Sequence, residues 1–310
     1  MLRTIAALSL ACASSLAAQV RTADPLQRGF QLDEFPRIVK LAEGVYGYEA
    51  IRSPGFTTVS LFVVGTRGVL VADGQGSPEA TRTMLERIRT VTDRPVRWYV
   101  VGSDHGDHTA GNSELPRDVH WVVHPTSKAR LERDSASAVA RGGSPPRTVV
   151  VPPVAMTGER EVIDLGGITV EVLFLGRAHT GGDLMVHVPR DRILFMSEAY
   201  LNRVFPAMRS AYPSEWIATL DRALAMEVER YVPGHGFIEE PRVSREELAA
   251  FRGAVAAVIA EVRRLHARGL PAEDAERAAQ WGEYGSWFLA AQQAPIAVRR
   301  IYDEIEGRIR

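Results

Sequence analysis

Two histidines and an aspartate lie within four residues of one another, in the run SDHGDH of residues 103–108. They are His105, Asp107 and His108, and the apolar stretch WYVV comes just before the run. Imidazole nitrogen and carboxylate oxygen are ligands that proteins offer to Zn²⁺, and a strand that ends in such a turn aims them at one place. The run therefore predicts a site for one or two zinc ions. Its first position is Ser103, whose hydroxyl is neutral.

Three later segments carry further residues of this kind. His179 lies in the segment AHTGGD, Glu198 in FMSEA, and His235 in VPGHG. A single His-x-Asp-His turn is more typical of an ordinary surface turn, but the ordered set of segments favours metal binding. Glu198 alone also fits an exposed acid at the end of a strand. We interpret four other histidines as structural or surface residues: His120, His124, His187 and His266.

Short β-rich segments and helical patterns must position these side chains. Residues 58–64 and 69–72 predict a hairpin that ends at Asp73, and Ser77 followed by Pro78 predicts the start of a helix. Further predictions are strands at 38–41, 45–48, 96–101, 119–123, 168–172, 184–188, 193–196 and 230–232, and helices from 125 to 131 and from 214.

Two stretches differ from this alternation. Residues 135–153 are rich in Ser, Gly, Pro and Ala and predict a loop. From Ser244 onward the pattern is helical, and Ser244 with Glu247 predicts a capping box at the start of a long helix that stops at Gly269. The chain is therefore expected to form a mixed β/α body followed by a helical tail.

Composition bounds the class of protein. The chain has 310 residues, of which 45% are hydrophobic, enough for a sizeable core in one domain with an extension. Its net charge is −1, so nothing points to nucleic acid or an anionic membrane as a partner.

The N-terminus has the pattern of a secretory signal peptide. A short basic start is followed by apolar residues at 5–12 and by small residues at 15–19. We expect cleavage to remove residues 1–18 and to yield a periplasmic or secreted protein without membrane insertion; a buried N-terminal helix is the alternative. Cys12, the only cysteine, would leave with this segment, which excludes thiolate ligands, cysteine nucleophiles and disulfides.

Taken in order, the segments resemble those of the metallo-β-lactamase superfamily. The family turn reads His-x-His-x-Asp-His, which residues 103–108 match except at Ser103. Residues 179–183 resemble the family's His-Thr-x-Gly-Asp segment, and residues 232–236 resemble its last histidine segment. Glu198 stands where a bridging aspartate is usual.

The resemblance implies an α/β fold, a four-layer αββα sandwich of two mixed β-sheets flanked by helices. This domain is expected to span residues 19–243, with residues 244–310 forming a C-terminal helical extension packed on it. Asp73 matches the aspartate that braces the metal-binding loop. Details of the third histidine segment and of the tail point further to the exported zinc hydrolases of quinoprotein and sulfur-oxidation relay systems.

The resemblance also implies how one or two zinc ions would be held. One ion would contact position 103, His105 and His179, the other Asp107, His108 and His235, and Glu198 would lie between them. Serine is a poor zinc ligand, but Glu198 is one methylene longer than aspartate, so we expect it to reach deeper and compensate in part. The implied metal ligands are His105, Asp107, His108, His179, Glu198 and His235, supported by Asp73 and Ser103.

These implications predict an exported zinc-dependent hydrolase that acts on a small-molecule ester, lactone or amide, β-lactams included. Zinc lowers the pKa of its bound water towards about 7 and polarises a carbonyl. Asp107 is the expected catalytic residue, which orients that water or passes a proton to the leaving group. The charge of Arg203 and Arg209 suits them to hold an anionic group of the substrate, but we interpret them as solvated surface residues. The helical tail is interpreted as a packing element or the face of a homodimer.

Two alternative functions stay open. A non-catalytic scaffold or binding protein derived from the fold would bind metal without a reaction. A mononuclear iron oxidase or dioxygenase would use two histidines and a carboxylate as ligands.

Overall fold

Eleven β-strands form two mixed sheets in the computed structural model, which describes residues 20–141 and 149–309. The first sheet contains, in chain order and in sheet order, β1 (Arg37–Ala42), β2 (Val45–Arg52), β3 (Phe56–Gly65), β4 (Gly68–Ala72), β5 (Val96–Val100) and β6 (His120–Val122). The second sheet contains β7 (Arg160–Asp164), β8 (Thr169–Leu173), β9 (Met185–Val188), β10 (Ile193–Phe195) and β11 (Arg230–Val232), in the order β11-β10-β9-β8-β7. Strands β4, β5 and β6 are parallel to one another, as are β10 and β11, and the other pairs are antiparallel.

Helices cover the outer faces of both sheets. They are α1 (Pro78–Arg89), α2 (Gly106–Thr109), α3 (Pro125–Arg141), α4 (Pro213–Ala225), α5 (Pro241–Ala267), α6 (Ala272–Ala278) and α7 (Ala290–Ile305). None of the helices in the described part of the chain combines the length and the hydrophobicity that crossing a membrane requires.

Three apolar clusters separate four layers. Between the sheets, Leu70 of β4 and Phe195 of β10 are fully buried in one cluster. On the outer side of the first sheet, Val71 of β4 packs in a cluster with Met84 of α1. On the outer side of the second sheet, Trp216 of α4 lies in a cluster with α5 and α7. This order of layers confirms the predicted αββα sandwich and explains why β4 is apolar on both faces.

Several predicted elements agree with the structure, and the predicted loop at 135–153 is wrong in its first part. β3 and β4 form the expected hairpin, and Ser77 Oγ accepts a hydrogen bond from the Ala80 amide (3.1 Å) at the start of α1. Helix α3, however, continues to Arg141, because this segment is rich in helix-favouring alanine and buries Ala138 on the same side as the core. Residues 142–148 lie outside the described part, and 149–153 form neither helix nor strand.

The predicted capping box at the start of α5 is also wrong. The helix begins at Pro241, whose fixed φ favours the first helical position. Ser244 and Glu247 are instead buried inside the helix. Ser244 Oγ donates to the Pro241 carbonyl and accepts from the Tyr231 amide. These two residues therefore tie α5 to the body of the protein.

The segment before α7 is bound to the loop that follows the second sheet's β10. Val204 and Phe288 form a parallel bridge, and the Phe205 amide donates to the Phe288 carbonyl at 2.9 Å. The first residues of α7 are thus held next to the edge of the sandwich that carries the candidate site.

Candidate metal centre

The loop after β5 leaves the sheet at a position where glycine is required. A Cβ on Gly102 would lie 2.7 Å from Ser197 Cβ and 2.9 Å from Asp73 Oδ2. Asp73, which has a left-handed φ of 60°, accepts hydrogen bonds at Oδ1 from the amides of Gly102 (2.7 Å) and Ser103 (3.3 Å). Asp73 therefore lies behind this loop and fixes its path.

The single turn of α2 directs Asp107 and His108 towards Glu198 and His235. One ligand atom from each of these four residues lies within 4.8 Å of the others. His108 Nε2 and His235 Nε2 are 3.3 Å apart, and Asp107 Oδ2 is 3.0 Å from His235 Nε2. Two nitrogens bound to one tetrahedral zinc ion at the usual distance would be about 3.3 Å apart. The spacing of this group fits a single metal ion.

A second group shares the same carboxylate. His105 Nδ1 lies 3.0 Å from His179 Nε2 and 3.1 Å from Glu198 Oε2. His179 Nε2 in turn is 3.2 Å from Glu198 Oε1. Glu198 therefore lies between two clusters of donor atoms, and the structure brings together all six residues that the sequence predicts as ligands.

Contacts on the far side of three imidazole rings fix which nitrogen faces the cluster. His235 Nδ1 lies 2.8 Å from the Thr57 carbonyl, which can only accept a hydrogen bond, so Nδ1 carries the proton. The lone pair of Nε2 is then available to a metal ion. His108 Nδ1 lies 3.1 Å from Asp73 Oδ2. His105 Nε2 lies 3.2 Å from Ser210 Oγ, which leaves Nδ1 for the cluster. This arrangement is typical of metal-binding histidines.

The side chain of Ser103 contacts Glu198 in the interior of the site. It is fully buried, and its Oγ donates a hydrogen bond of 2.6 Å to Glu198 Oε2. Glu198 sits in a tight turn in which Ser197 has a positive φ of 47°. The longer glutamate side chain thus reaches the side of the site where Ser103 replaces the family histidine, as expected from its length.

The cluster has a strong negative field. Burial favours the neutral imidazole of His108, yet the carboxylates of Asp73 and Glu198 outweigh burial and raise its pKa to about 9. Burial likewise opposes ionisation of Glu198, but the charges of His179 and His105 hold its pKa well below the usual range. Carboxylates that stay ionised next to imidazoles that attract protons form an environment that also favours a divalent cation.

One side of the cluster is open to solvent. The side chains of His105 and Asp107 are 22% and 17% exposed, whereas those of the other four candidate ligands are at most 5% exposed. Asp107 Oδ2 accepts a hydrogen bond of 2.5 Å from Arg52 Nη1 at this mouth. An open position next to the ligands is what distinguishes a catalytic metal site from a closed structural one.

A cavity of about 320 Å³ lies over the donor atoms. One wall is apolar, and the segment that begins α7 supplies part of it. The residues of this wall are Pro54, Phe56, Leu201, Val204, Ala207 and Leu289. Arg52 and Arg209 line both this cavity and a neighbouring one of about 840 Å³.

The sequence did not indicate these lining residues. Arg52 and Leu289 lie far from the histidine segments along the chain, and no spacing connects them. The interpretation of Arg203 as a solvated surface residue is wrong, because Arg203 pairs with the buried Glu247. Arg209 is exposed, as the sequence predicts, but it also lines the cavity.

The four other histidines lie outside both donor groups. His120 faces Glu161 at the surface (3.2 Å), and His187 lies 3.4 Å from Glu171. His124 stacks on Phe174, and His266 meets Tyr302 edge to face. Asp104, between Ser103 and His105, is buried but belongs to neither group.

A metal centre at the edge of an αββα sandwich, built from loops at the ends of strands, defines the class of protein. The chain belongs to the metallo-beta-lactamase superfamily, because the family model of that description matches residues 52–235, more than half of the chain.

Solved structures agree on the fold. The chain is similar to a metallo-beta-lactamase from Pontibacter korlensis, with a TM-score of 0.61 and 20% identity over 71% of this chain and 98% of that one. It is also similar to the stereoselective inverting sec-alkylsulfatase Pisa1 from Pseudomonas sp., with a TM-score of 0.68 and 15% identity over 90% of this chain and 52% of that one.

Two curated relatives share 25% identity with the chain. One is the 2,4-dinitroanisole O-demethylase subunit alpha of Nocardioides sp. (strain JS1661), matched over 62% of this chain and 55% of that protein. The other is the lactamase-like protein vrtG of Penicillium aethiopicum, matched over 69% of this chain and 61% of that protein. The chain thus matches little more than half of the length of these relatives.

Proposed function

We propose that this protein is an exported zinc-dependent hydrolase that cleaves an ester, lactone or amide bond of a small molecule. The observation that carries the proposal is the pair of donor groups that share Glu198 at the floor of a solvent-accessible cavity. A scaffold protein has no need of an open position next to its ligands, whereas a hydrolase requires one for substrate and water.

The donor set fits zinc. It consists of imidazole nitrogens and carboxylate oxygens, and the nitrogen spacing within the group of His108 and His235 matches tetrahedral coordination. His108, His235, Asp107 and Glu198 would hold one ion, and His105, His179 and Glu198 the other. Zinc bound there would supply an activated water near neutral pH and would polarise the bond under attack.

Asp107 is suited to orient the attacking water. Burial and the charge of Glu198 raise the pKa of Asp107, but His235 and His108 lower it by more than this. The pKa of Asp107 therefore lies below its usual range, and its carboxylate stays ionised. Arg52 fixes Oδ2 by a direct hydrogen bond. The contacts that hold Asp107 among the described residues all use Oδ2. We therefore assign Oδ1 to accept the proton of the water.

The names of similar proteins widen the range of substrates to be tested. One relative is called a 2,4-dinitroanisole O-demethylase, and one similar structure is that of a sec-alkylsulfatase. The panel should therefore include an aryl methyl ether and a secondary alkyl sulfate beside carboxylic esters, lactones and a β-lactam.

The first experiment measures metal content and hydrolysis on the same preparation. The chain from residue 19 onward is purified without chelators, analysed for metals, and assayed with the panel before and after chelation. About two zinc ions per chain and chelator-sensitive hydrolysis would support the proposal. Iron with oxygen-dependent turnover would favour the oxidase alternative, and metal without turnover would favour the scaffold.

We further propose that residues 1–18 are removed on export and that the protein acts in the periplasm or outside the cell. Contacts of the segment that follows support a mature chain that starts nearby: Arg21 bonds Glu246 and Glu247, and Ala23 is buried. N-terminal sequencing of the protein from its natural host tests the cleavage, and light scattering tests whether it is a homodimer.

A further inference from the structure

Four arginines surround a small polar cavity beside the metal centre. The cavity has a volume of about 190 Å³, larger than the space of one or two waters. The arginines come from three different parts of the fold: α3, the loop before α4, and α7. The arginines are Arg130, Arg133, Arg209 and Arg300.

The negative charges around the cavity do not balance these arginines. Arg130 bonds Asp134 (3.1 Å), and Asp104 is the one carboxylate that the described residues place in the lining. Four positive charges therefore meet two negative ones. Among the side chains that the structure describes, neither Arg133 nor Arg209 has a hydrogen bond or an ion pair.

Arg300 is half-buried, and none of the described carboxylates forms an ion pair with it. Its Nε donates to the Ala211 carbonyl at 2.6 Å, and its guanidinium lies over the ring of Tyr212. Burial lowers its pKa, against the opposing effects of Tyr212, Asp303 and Glu304. Both of these acids already contact other arginines, Asp303 at 2.6 Å and Glu304 at 3.5 Å.

This surplus is local rather than a property of the whole surface. The chain has a net charge of −1, and other exposed arginines, such as Arg82 and Arg252, are paired with carboxylates at about 3 Å. Guanidinium groups that outnumber the carboxylates around them are disposed to bind an oxyanion, since each offers two parallel N–H donors.

The cavity is connected to the metal centre through two neighbouring residues. Ser210 lines the cavity, and its Oγ lies 3.2 Å from Nε2 of the candidate ligand His105. Arg209 lines both this cavity and the one over the donor atoms. The two cavities therefore adjoin at Arg209.

We propose that this cavity binds an anionic oxo group of the substrate, a carboxylate, sulfate or phosphate, while the bond to be cleaved lies at the metal centre. Arg209 and Arg300 are the specificity-determining residues of this subsite. The inference rests on the proposed function in placing the cleaved bond at the metals, and it adds that the substrate is an anion.

The binding test uses inorganic sulfate and acetate as probes. Calorimetric titration is carried out with the full mature chain, zinc-loaded and metal-stripped. We expect sulfate to bind both forms, and Arg209→Ala to weaken binding about tenfold, the effect of losing one charged hydrogen bond. Arg209→Lys should recover part of the affinity. Arg242→Ala, a change in an arginine whose side chain is 92% exposed on α5, should have no effect.

The catalytic test compares two esters with the same leaving group, 4-nitrophenyl acetate and the monoester 4-nitrophenyl hydrogen glutarate. Arg209→Ala should raise KM for the glutarate ester about tenfold more than it raises KM for the acetate ester, with kcat changed equally for both. Because Arg209 has no partner to lose, this variant is expected to fold. Arg300→Ala is the second variant, checked for folding because it also loses its bond to Ala211.

The outcomes separate the two proposals. Two results would overturn the anion subsite: sulfate binding by the zinc-loaded form alone, or sulfate binding by Arg209→Ala and Arg300→Ala that is as tight as in the wild type. Neither result would refute ester hydrolysis at the metal centre. Sulfate binding that depends on the arginines in a protein that cleaves no ester would support the subsite and refute the hydrolase assignment. Equal effects of Arg209→Ala on both esters would also count against the subsite.

Discussion

Replacing Ser103 by alanine removes two hydrogen bonds of its Oγ, the 2.6 Å bond that it donates to Glu198 Oε2 and a longer one of 3.3 Å that it accepts from the His105 amide. The rest of the Ser103 side chain is small, so the change creates little empty volume. A buried hydrogen bond to a charged group contributes about 1.5–3 kcal/mol, which corresponds to about 10- to 100-fold in an equilibrium constant. Loss of a residue that orients a metal ligand has an effect of the same size. We therefore expect the affinity for the metal held by His105, His179 and Glu198 to fall by about 10- to 100-fold.

The assay is a competition titration of Zn²⁺ between the metal-stripped protein and a chromophoric chelator, which resolves the two binding steps. Ser103→Thr retains the hydroxyl and should keep most of the affinity, and Ser113→Ala, on the exposed surface, is the matched control. Circular dichroism and the Tm establish that each variant is folded. Two binding constants in Ser103→Ala equal to those of the wild type would refute the reasoning, because Ser103 would then have no influence on Glu198.

Three other predictions follow from the same contacts. Ser103→His alone should weaken metal binding, because position 103 is fully buried against Glu198 and has no room for the larger ring. The double variant Ser103→His with Glu198→Asp should bind metal more tightly than either single variant. Additive losses of metal affinity in this double-mutant cycle would contradict the prediction. Gly234→Ala should lower the free energy of unfolding by about 1–3 kcal/mol, because its Cβ would lie 2.5 Å from the Ser197 carbonyl carbon, while Gly285→Ala, with 3.5 Å to its nearest neighbour, should be nearly neutral in urea denaturation. Nearby carboxylates outweigh the burial of His108 and raise its pKa to about 9. The protonated ring therefore stabilises the folded state fully at a pH below 6.5, the ordinary pKa of histidine, and this stability is lost as the pH rises towards 9. Urea denaturation in the presence of a chelator should therefore show a falling free energy of unfolding between these pH values, and a rise over the same interval would show that His108 does not contribute in this way.

The candidate ligands that the structure brings together can be found in the sequence because each lies at a local break in a regular pattern. His105 follows the apolar strand β5, and His235 follows β11 at a Pro-Gly break. Such breaks depend on neighbours along the chain, so they are readable from residue types. The parallel pairing of β10 with β11 then brings Glu198 close to His235, a consequence of the fold that the family resemblance implied.

The parts that the sequence failed to predict depend on tertiary contacts. Glu247 has the spacing of a capping residue from Ser244, but its role is decided by Arg203, 44 residues away, which pairs with it in the interior. The second half of α3 buries Ala138 but leaves Val139 80% exposed, so no apolar stripe marks it as helical in the sequence. The contribution of Leu289 to the cavity depends on how the helical tail docks, and no periodicity in the chain describes that docking.

The two departures from the family pattern compensate for each other. A family histidine at position 103 would donate a neutral nitrogen, and its replacement by Ser103 removes one ligand but no charge. Glu198 keeps the carboxylate of the usual aspartate, and its extra length lets Oε2 approach His105 (3.1 Å) while Oε1 faces His179 and His235 (both 3.2 Å). With neutral histidines, the carboxylates of Asp107 and Glu198 still give the donor set a charge of −2. The attraction for a divalent cation is therefore retained. An ion held by His105, His179 and Glu198 would have one ligand fewer than in the family pattern, which would leave one more position for the substrate of the proposed reaction.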